Sequence, residues 1–156
     1  MTKEGTHWLA FMRRYLVIVA AAHLLWEVLQ IPFYTLWQEG TWMQIAYAIL
    51  HCTGGDILIS LAALILALVL AGSEQWPAFG FRKTALLAVL FGVAYTVYSE
   101  WLNVNVYQSW AYAEAMPVLT SGSIKIGLLP LLQWFVVPSV SIWLTRKLTT
   151  TEGEKS

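Results

Sequence analysis

Five ionisable side chains, His23, Glu27, His51, Asp56 and Glu100, lie inside long apolar runs of this 156-residue chain. Placing such a group in a bilayer interior costs about 2.5 to 3.5 kcal/mol on insertion scales, so each asks for a reason. His23 and Glu27 are four residues apart, which stacks them on one helix face, and Gln30 and Tyr34 continue that stripe. Cys52 and Asp56 repeat the spacing beside Gly54 and Gly55, where absent side chains would let a helix or ligand approach closely. Thr96, Glu100, Asn103 and Tyr107 form a third stripe, and Gln133 stands between Pro130 and Pro138. Carboxyls paired with an imidazole in apolar surroundings are suited to general acid–base catalysis, in which one group gives a proton and another takes it. The plainer account is that these groups only tie helices together. Such hydrogen bonds contribute about 0.6 kcal/mol on average in membrane helices, well below the summed insertion cost of three carboxyls and a histidine. One functional cavity is therefore expected.

The elements that position these groups follow from composition. Hydrophobic residues make up 58% of the chain and charged residues 12%, with a mean hydropathy of +0.62, which is not the balance of a water-soluble domain. Four runs reach the roughly 20 residues needed to cross about 30 Å of hydrocarbon. They fall at residues 15–37, 45–71, 84–104 and 124–145, joined by loops at 38–44, 72–83 and 105–123. The expected fold is all-α, a polytopic four-helix membrane bundle forming a single domain over residues 1–156. Counting about 1.5 Å per residue from the middle of each span puts Glu27, Asp56 and Gln133 near mid-membrane, with Glu100 higher in the outer half. The first run carries His23 and Glu27 and has no small-residue cleavage site behind it, so it reads as a span and not as a removed leader. Zero net charge gives no footprint for a nucleic-acid partner. The single cysteine, Cys52, excludes an internal disulfide.

Basic residues set the expected orientation. Lys3, Arg13 and Arg14 precede the first span, Arg82 and Lys83 precede the third, and Arg146, Lys147 and Lys155 follow the fourth, while the first and third loops have none. The positive-inside rule then places both termini in the cytoplasm, with Lys125 snorkelling at the outer edge of the fourth span. Trp37, Trp42, Trp101, Tyr107, Trp110 and Tyr112 are expected as outer interface anchors, and Trp8, Tyr15, Trp76 and Trp143 as inner ones. The aromatic-rich stretch 107–116 reads first as a segment lying among headgroups. Its sharper alternative is a lid over a cavity.

The motifs Ser-Glu-Trp-Leu-Asn (99–103), Trp-Ala-Tyr (110–112), Met-Pro (116–117) and Gly-Leu-Leu-Pro-Leu-Leu-Gln-Trp (127–134), with Pro138, resemble small four-span bacterial membrane proteins of unknown function. That resemblance implies a bacterial inner-membrane location and no particular activity. A second resemblance is to EXPERA and sterol-isomerase-type membrane proteins, through His23 with Glu27, then Glu100, then Trp134 with Pro138. Gln133 stands where that family has an Asn before the Trp, and the chain has one span fewer. The resemblance implies isomerase-like proton movement on a lipophilic ring or double bond. On this view Glu27 is the proton donor or base tuned by His23, and Asp56 or Glu100 is the second catalytic group. Trp101 or Trp134 would face a cationic intermediate, and Gln30, Tyr34, Asn103 and Gln133 would contact substrate. No cofactor is expected, and the expected partners are membrane lipids, a lipophilic small molecule and a further copy of the chain. Two other classes stay open. His23, Glu27 and Asp56 suit a non-haem iron, zinc or manganese site, whereas His23 and His51, about 14 Å apart along the membrane normal, are too distant to share a haem. A small transporter, or an accessory subunit of a membrane complex, would use the same carboxyls as a proton relay.

Overall fold

A computed structural model describes residues 3–153 of the chain; Lys155 lies outside the described residues. Helix α1 (Lys3–Gln30) runs into a tight turn at Ile31–Phe33, then the short α2 (Leu36–Glu39), the long α3 (Trp42–Ala71) and α4 (Phe81–Glu100). A wider π-helical segment, Trp101–Val106, continues α4, and a hairpin of β1 (Val118–Ser121) and β2 (Ile124–Gly127) leads into α5 (Leu128–Gly153). The stretches Trp8–Phe33, Trp42–Ala71, Phe81–Val106 and Leu128–Thr149 are each long and apolar enough to cross a membrane. The fold is an all-α, four-helix integral membrane bundle carrying one small antiparallel hairpin.

Local chemistry sets the boundaries. Pro32 disfavours helical geometry in the residue before it, so α1 stops at Gln30 and not at Trp37 as its hydrophobicity implies. Thr41 and Gln44 form a reciprocal capping box that starts α3: Gln44 N donates to Thr41 Oγ1 at 3.3 Å and Thr41 N donates to Gln44 Oε1 at 2.8 Å. Gly80, with φ of 74°, turns the chain into α4 through a conformation that side-chain-bearing residues resist. The π segment carries more residues per turn than an α-helix, and so rotates the residues at its far end about the helix axis. Tyr107, expected on the Glu100 stripe, is thereby turned outward and exposed. The fourth span begins at Leu128, later than hydrophobicity implies, because 124–127 pair as a strand. Lys125 accordingly sits in β2, where its backbone exchanges two hydrogen bonds of 3.0 Å with the Asn105 amide.

The helices form a ring in which α1 and α4 each pack on α3 and α5. Arg14 donates to the Leu148 carbonyl at 3.2 Å, which brings the start of α1 and the end of α5 to one end of the bundle. That end is packed solid by Phe11, Tyr15, Val19, Leu64, Ala67, Trp76, Ala88, Val137 and Ile142. Tyr15 and Trp76 are thus core residues and not interface anchors. Leu58, Val69 and Val17 point outward with 69%, 77% and 70% exposure, an arrangement that favours lipid over water as the surrounding medium.

Candidate functional site

Toward the hairpin end the ring opens into a cavity of about 890 Å³. Its floor is built from three helices. His23, Glu27 and Gln30 share one face of α1, Asp56 comes from α3, and Gln133 comes from α5. The Gln133 side-chain nitrogen is 3.0 Å from His23 Nδ1, 3.0 Å from Glu27 Oε1 and 2.8 Å from Asp56 Oδ2. Gln30 Nε2 donates to Glu27 Oε1 at 2.6 Å and to Gln133 Oε1 at 3.3 Å, which fixes which end of the Gln133 amide faces the carboxyls. Trp26 Nε1 in turn holds Gln30 Oε1 at 3.0 Å. On its other side His23 is hydrogen-bonded through Nε2 to Ser60 Oγ at 3.0 Å, and Ser60 also meets the Tyr15 hydroxyl. His23 and Glu27 are 0% and 5% exposed, so this network is sealed from the surroundings except through the cavity.

Trp134 forms one wall, its ring 5.2 Å from the His23 ring between centroids. It seats there because Gly92 on α4 has no side chain; a Cβ at that position would collide with the indole. Glu100 forms the opposite wall and is buried, with the Tyr112 hydroxyl donating to its carboxylate. The same hydroxyl accepts the Gly127 N–H at 2.7 Å, which links β2 to the wall. Tyr112 is half-buried, and its phenol is pushed well above the ordinary value of 10.0, by burial first and by the neighbouring Glu100 charge second. Tyr34 reaches the cavity from an extended segment beyond the end of α1, bridged to Tyr112 by backbone pairing and ring contact at 5.8 Å. The 107–116 stretch therefore covers the cavity. Ala111 accepts from Thr35 N, Ala113 N donates to Phe33 O, and Trp110 lines the interior.

Of the residues singled out from sequence, Glu27, Asp56, Glu100, Gln30, Tyr34, Asn103, Gln133 and Trp134 all line this cavity, and His23 lies directly beneath it. Trp101 does not. It points outward, 38% exposed, against Tyr98 on the lipid side. Asn103 lines the cavity but returns its amide to Ser99, at 2.9 Å to the carbonyl. Gly55 borders the cavity with open space before it and no helix packs on Gly54, so neither serves a close helix contact. Sequence reasoning misses Ser60, and it takes Trp110 and Tyr112 for interface anchors where the structure turns Trp110 into the cavity and seats Tyr112 on Glu100. Ser60 extends the Cys52–Asp56 spacing by one more turn, a usable signal, whereas Tyr112 sits in a loop whose periodicity says nothing.

The arrangement has two chemical consequences. The Gln133 NH2 group has two hydrogens for three neighbours, and Glu27 Oε1 has a second donor in Gln30 Nε2, which leaves the amide hydrogens for His23 Nδ1 and Asp56 Oδ2. His23 Nδ1 and Asp56 Oδ2 stand 3.4 Å apart, so the imidazole and this carboxyl are close enough to act on one another. The point where the imidazole and both carboxyls converge is occupied by an amide nitrogen, and among the described residues no three His, Cys, Asp or Glu side chains are grouped to hold a metal ion. No protein-family model, curated protein or solved structure matches the chain.

Proposed function

We propose that this chain is an enzyme of the bacterial inner membrane, with both termini cytoplasmic, that performs isomerase- or cyclase-like acid–base chemistry on a lipophilic substrate. One observation carries this reading: carboxyls from three different helices face a single cavity, and two of them, Glu27 and Asp56, share the Gln133 amide, with the His23 imidazole 3.4 Å from the second. In this role Glu27 and Asp56 exchange a proton with the substrate, while His23 and Gln133 hold the pair in register. Glu100, oriented by Tyr112, is the second acid or base across the cavity. Trp134 presents an aromatic ring to positive charge that develops on the substrate. The surrounding apolar walls keep water from a reactive intermediate.

A transporter needs access from both sides of its site. Here the terminal half of the bundle is filled by Phe11, Tyr15, Trp76 and Ile142, which supports a dead-end chamber over a pathway. The test is chemical. Lipid extracts from a deletion strain should accumulate a neutral lipophile that the complemented strain converts into an isomer of equal mass. Identical lipid profiles in the two strains would count against the enzyme.

A further inference from the structure

The mouth of the cavity is defined by side chains that line it and are also exposed. On α3 these include Met43, Tyr47 and His51, and on α4 Tyr95. Toward the cavity interior, Cys52 and Gly55 on α3 and Ser99 on α4 are less exposed, and Thr96 and Glu100 are buried. The opening therefore runs down the seam between α3 and α4. His51 lies nine residues into α3, or roughly 14 Å along its axis, and since that 30-residue helix overhangs about 30 Å of hydrocarbon by about 7 Å at each end when centred, the slot extends about 7 Å below the hydrocarbon surface. Lipid, and not water, is what meets an opening at that level. His51 is exposed there with its ring stacked on Tyr47 at 5.4 Å, a placement that is costly against bare acyl chains and satisfied when a polar group passes or rests beside it.

We infer that the substrate enters sideways from the membrane through the α3–α4 seam, polar end first, and that it is an uncharged lipophile bearing a hydroxyl group. This inference rests on the reading of the cavity as the substrate site. The floor offers Glu27 and Asp56 as acceptors, and neither Lys nor Arg lines the cavity. An anionic head, carboxylate or phosphate, would meet like charge where screening is weak. An ammonium head would suit the floor but must first leave the headgroup layer for the hydrocarbon, at a cost a neutral alcohol avoids. A hydroxyl can donate to a carboxylate and accept from an amide, so it fits both kinds of group present.

The wild-type protein, reconstituted in phosphatidylcholine vesicles, is irradiated with a long-chain alcohol carrying a diazirine near its hydroxyl, and in parallel with the matching fatty acid and amine. Adducts are then mapped by mass spectrometry. The alcohol is expected to label the interior around Cys52, Gly55 and Ser99, with roughly tenfold less interior labelling by the acid or the amine, a ratio worth about 1.4 kcal/mol. Ala48→Trp, which fills the slot from α3, should remove interior adducts while those on the outer face near Leu58 remain. Tyr95→Ala, which widens the slot, should increase them. Glu27→Gln, whose amide oxygen can still accept from a hydroxyl, should retain alcohol adducts while losing conversion of the accumulated lipophile, so that failure of entry and failure of the proton chemistry are told apart. Interior labelling equal for all three head groups, labelling indifferent to both slot variants, or labelling confined to the outer face would each overturn the inference.

Discussion

Gln133 is the residue on which the floor depends, because it is the one group that touches His23, Glu27 and Asp56 together. Replacing it by leucine strips a donor from buried Glu27, which keeps Gln30, and from partly buried Asp56, at about 1 to 3 kcal/mol for a group left unsatisfied. The Gln133→Leu variant should therefore melt well below wild type in detergent, and Gln133→Glu should lose activity by adding a carboxyl where a donor is required. The residue-level pattern is partly legible in sequence. The i, i+4 spacing of His23 and Glu27, and the matched depth of Asp56 and Gln133, require only helical geometry, and the structure does bring these four together. Trp101, adjacent to Glu100 at the head of the π segment, points outward by ordinary helical spacing, whereas Tyr107 leaves its expected face because of the segment itself. A π segment has no signature in hydrophobic periodicity, and it rotates the end of the third span away from the face its spacing implies.

At the level of elements, the Tyr112 hydroxyl makes two of the hydrogen bonds that hold the hairpin and the covering loop to the bundle, beside those of Asn105 with Lys125, Thr35 with Ala111 and Ala113 with Phe33. Tyr112→Phe should leave the helices intact and speed hydrogen exchange at the Gly127 amide, while amides in the middle of α3 are unchanged. The raised phenol pKa adds a pH dependence with a definite sign. Above the ordinary tyrosine value of 10.0 the unfolded chain loses this proton and the folded one keeps it, so the stability contributed by Tyr112 is present at neutral pH and falls as the solution becomes more alkaline. Wild type should lose more stability than Tyr112→Phe on going from neutral pH to above that value, read as the difference between their melts. Gly92→Ala tests the packing between α4 and α5. The added methyl has no room against Trp134, so the variant should be destabilised, by about 1 to 3 kcal/mol for overpacking, with its indole fluorescence shifted. The cover is legible only as the lid alternative for the aromatic-rich stretch 107–116; the hairpin and the Gly92 seat are not, since a two-stranded hairpin of exposed residues and a lone glycine lack the periodicity that marks a span.

The described residues form a bundle closed at the end where α1 begins and α5 finishes, and open along one seam toward the other end. Its class is plain from composition, because four apolar runs of that length have no other use in so short a chain. The orientation proposed from basic residues predicts cytoplasmic signals from reporters fused within residues 72–75 and at the C terminus, and an extracytoplasmic signal from one within residues 113–121. A cytoplasmic signal from the last would reverse the side on which the cavity's cover lies.

The central claim is that the carboxyls gathered with His23 at the cavity floor exchange a proton with the substrate, and Glu27→Gln addresses it directly. The amide keeps the size of the side chain and much of its hydrogen-bonding capacity, but cannot give or take a proton near neutral pH. Complementation of the deletion strain, scored by conversion of the accumulated lipophile, should drop to background with Glu27→Gln, while expression and the detergent melt stay close to wild type or improve. Full complementation by Glu27→Gln, with the melt likewise unchanged, would contradict the account and leave the carboxyl cluster as a structural tie between helices.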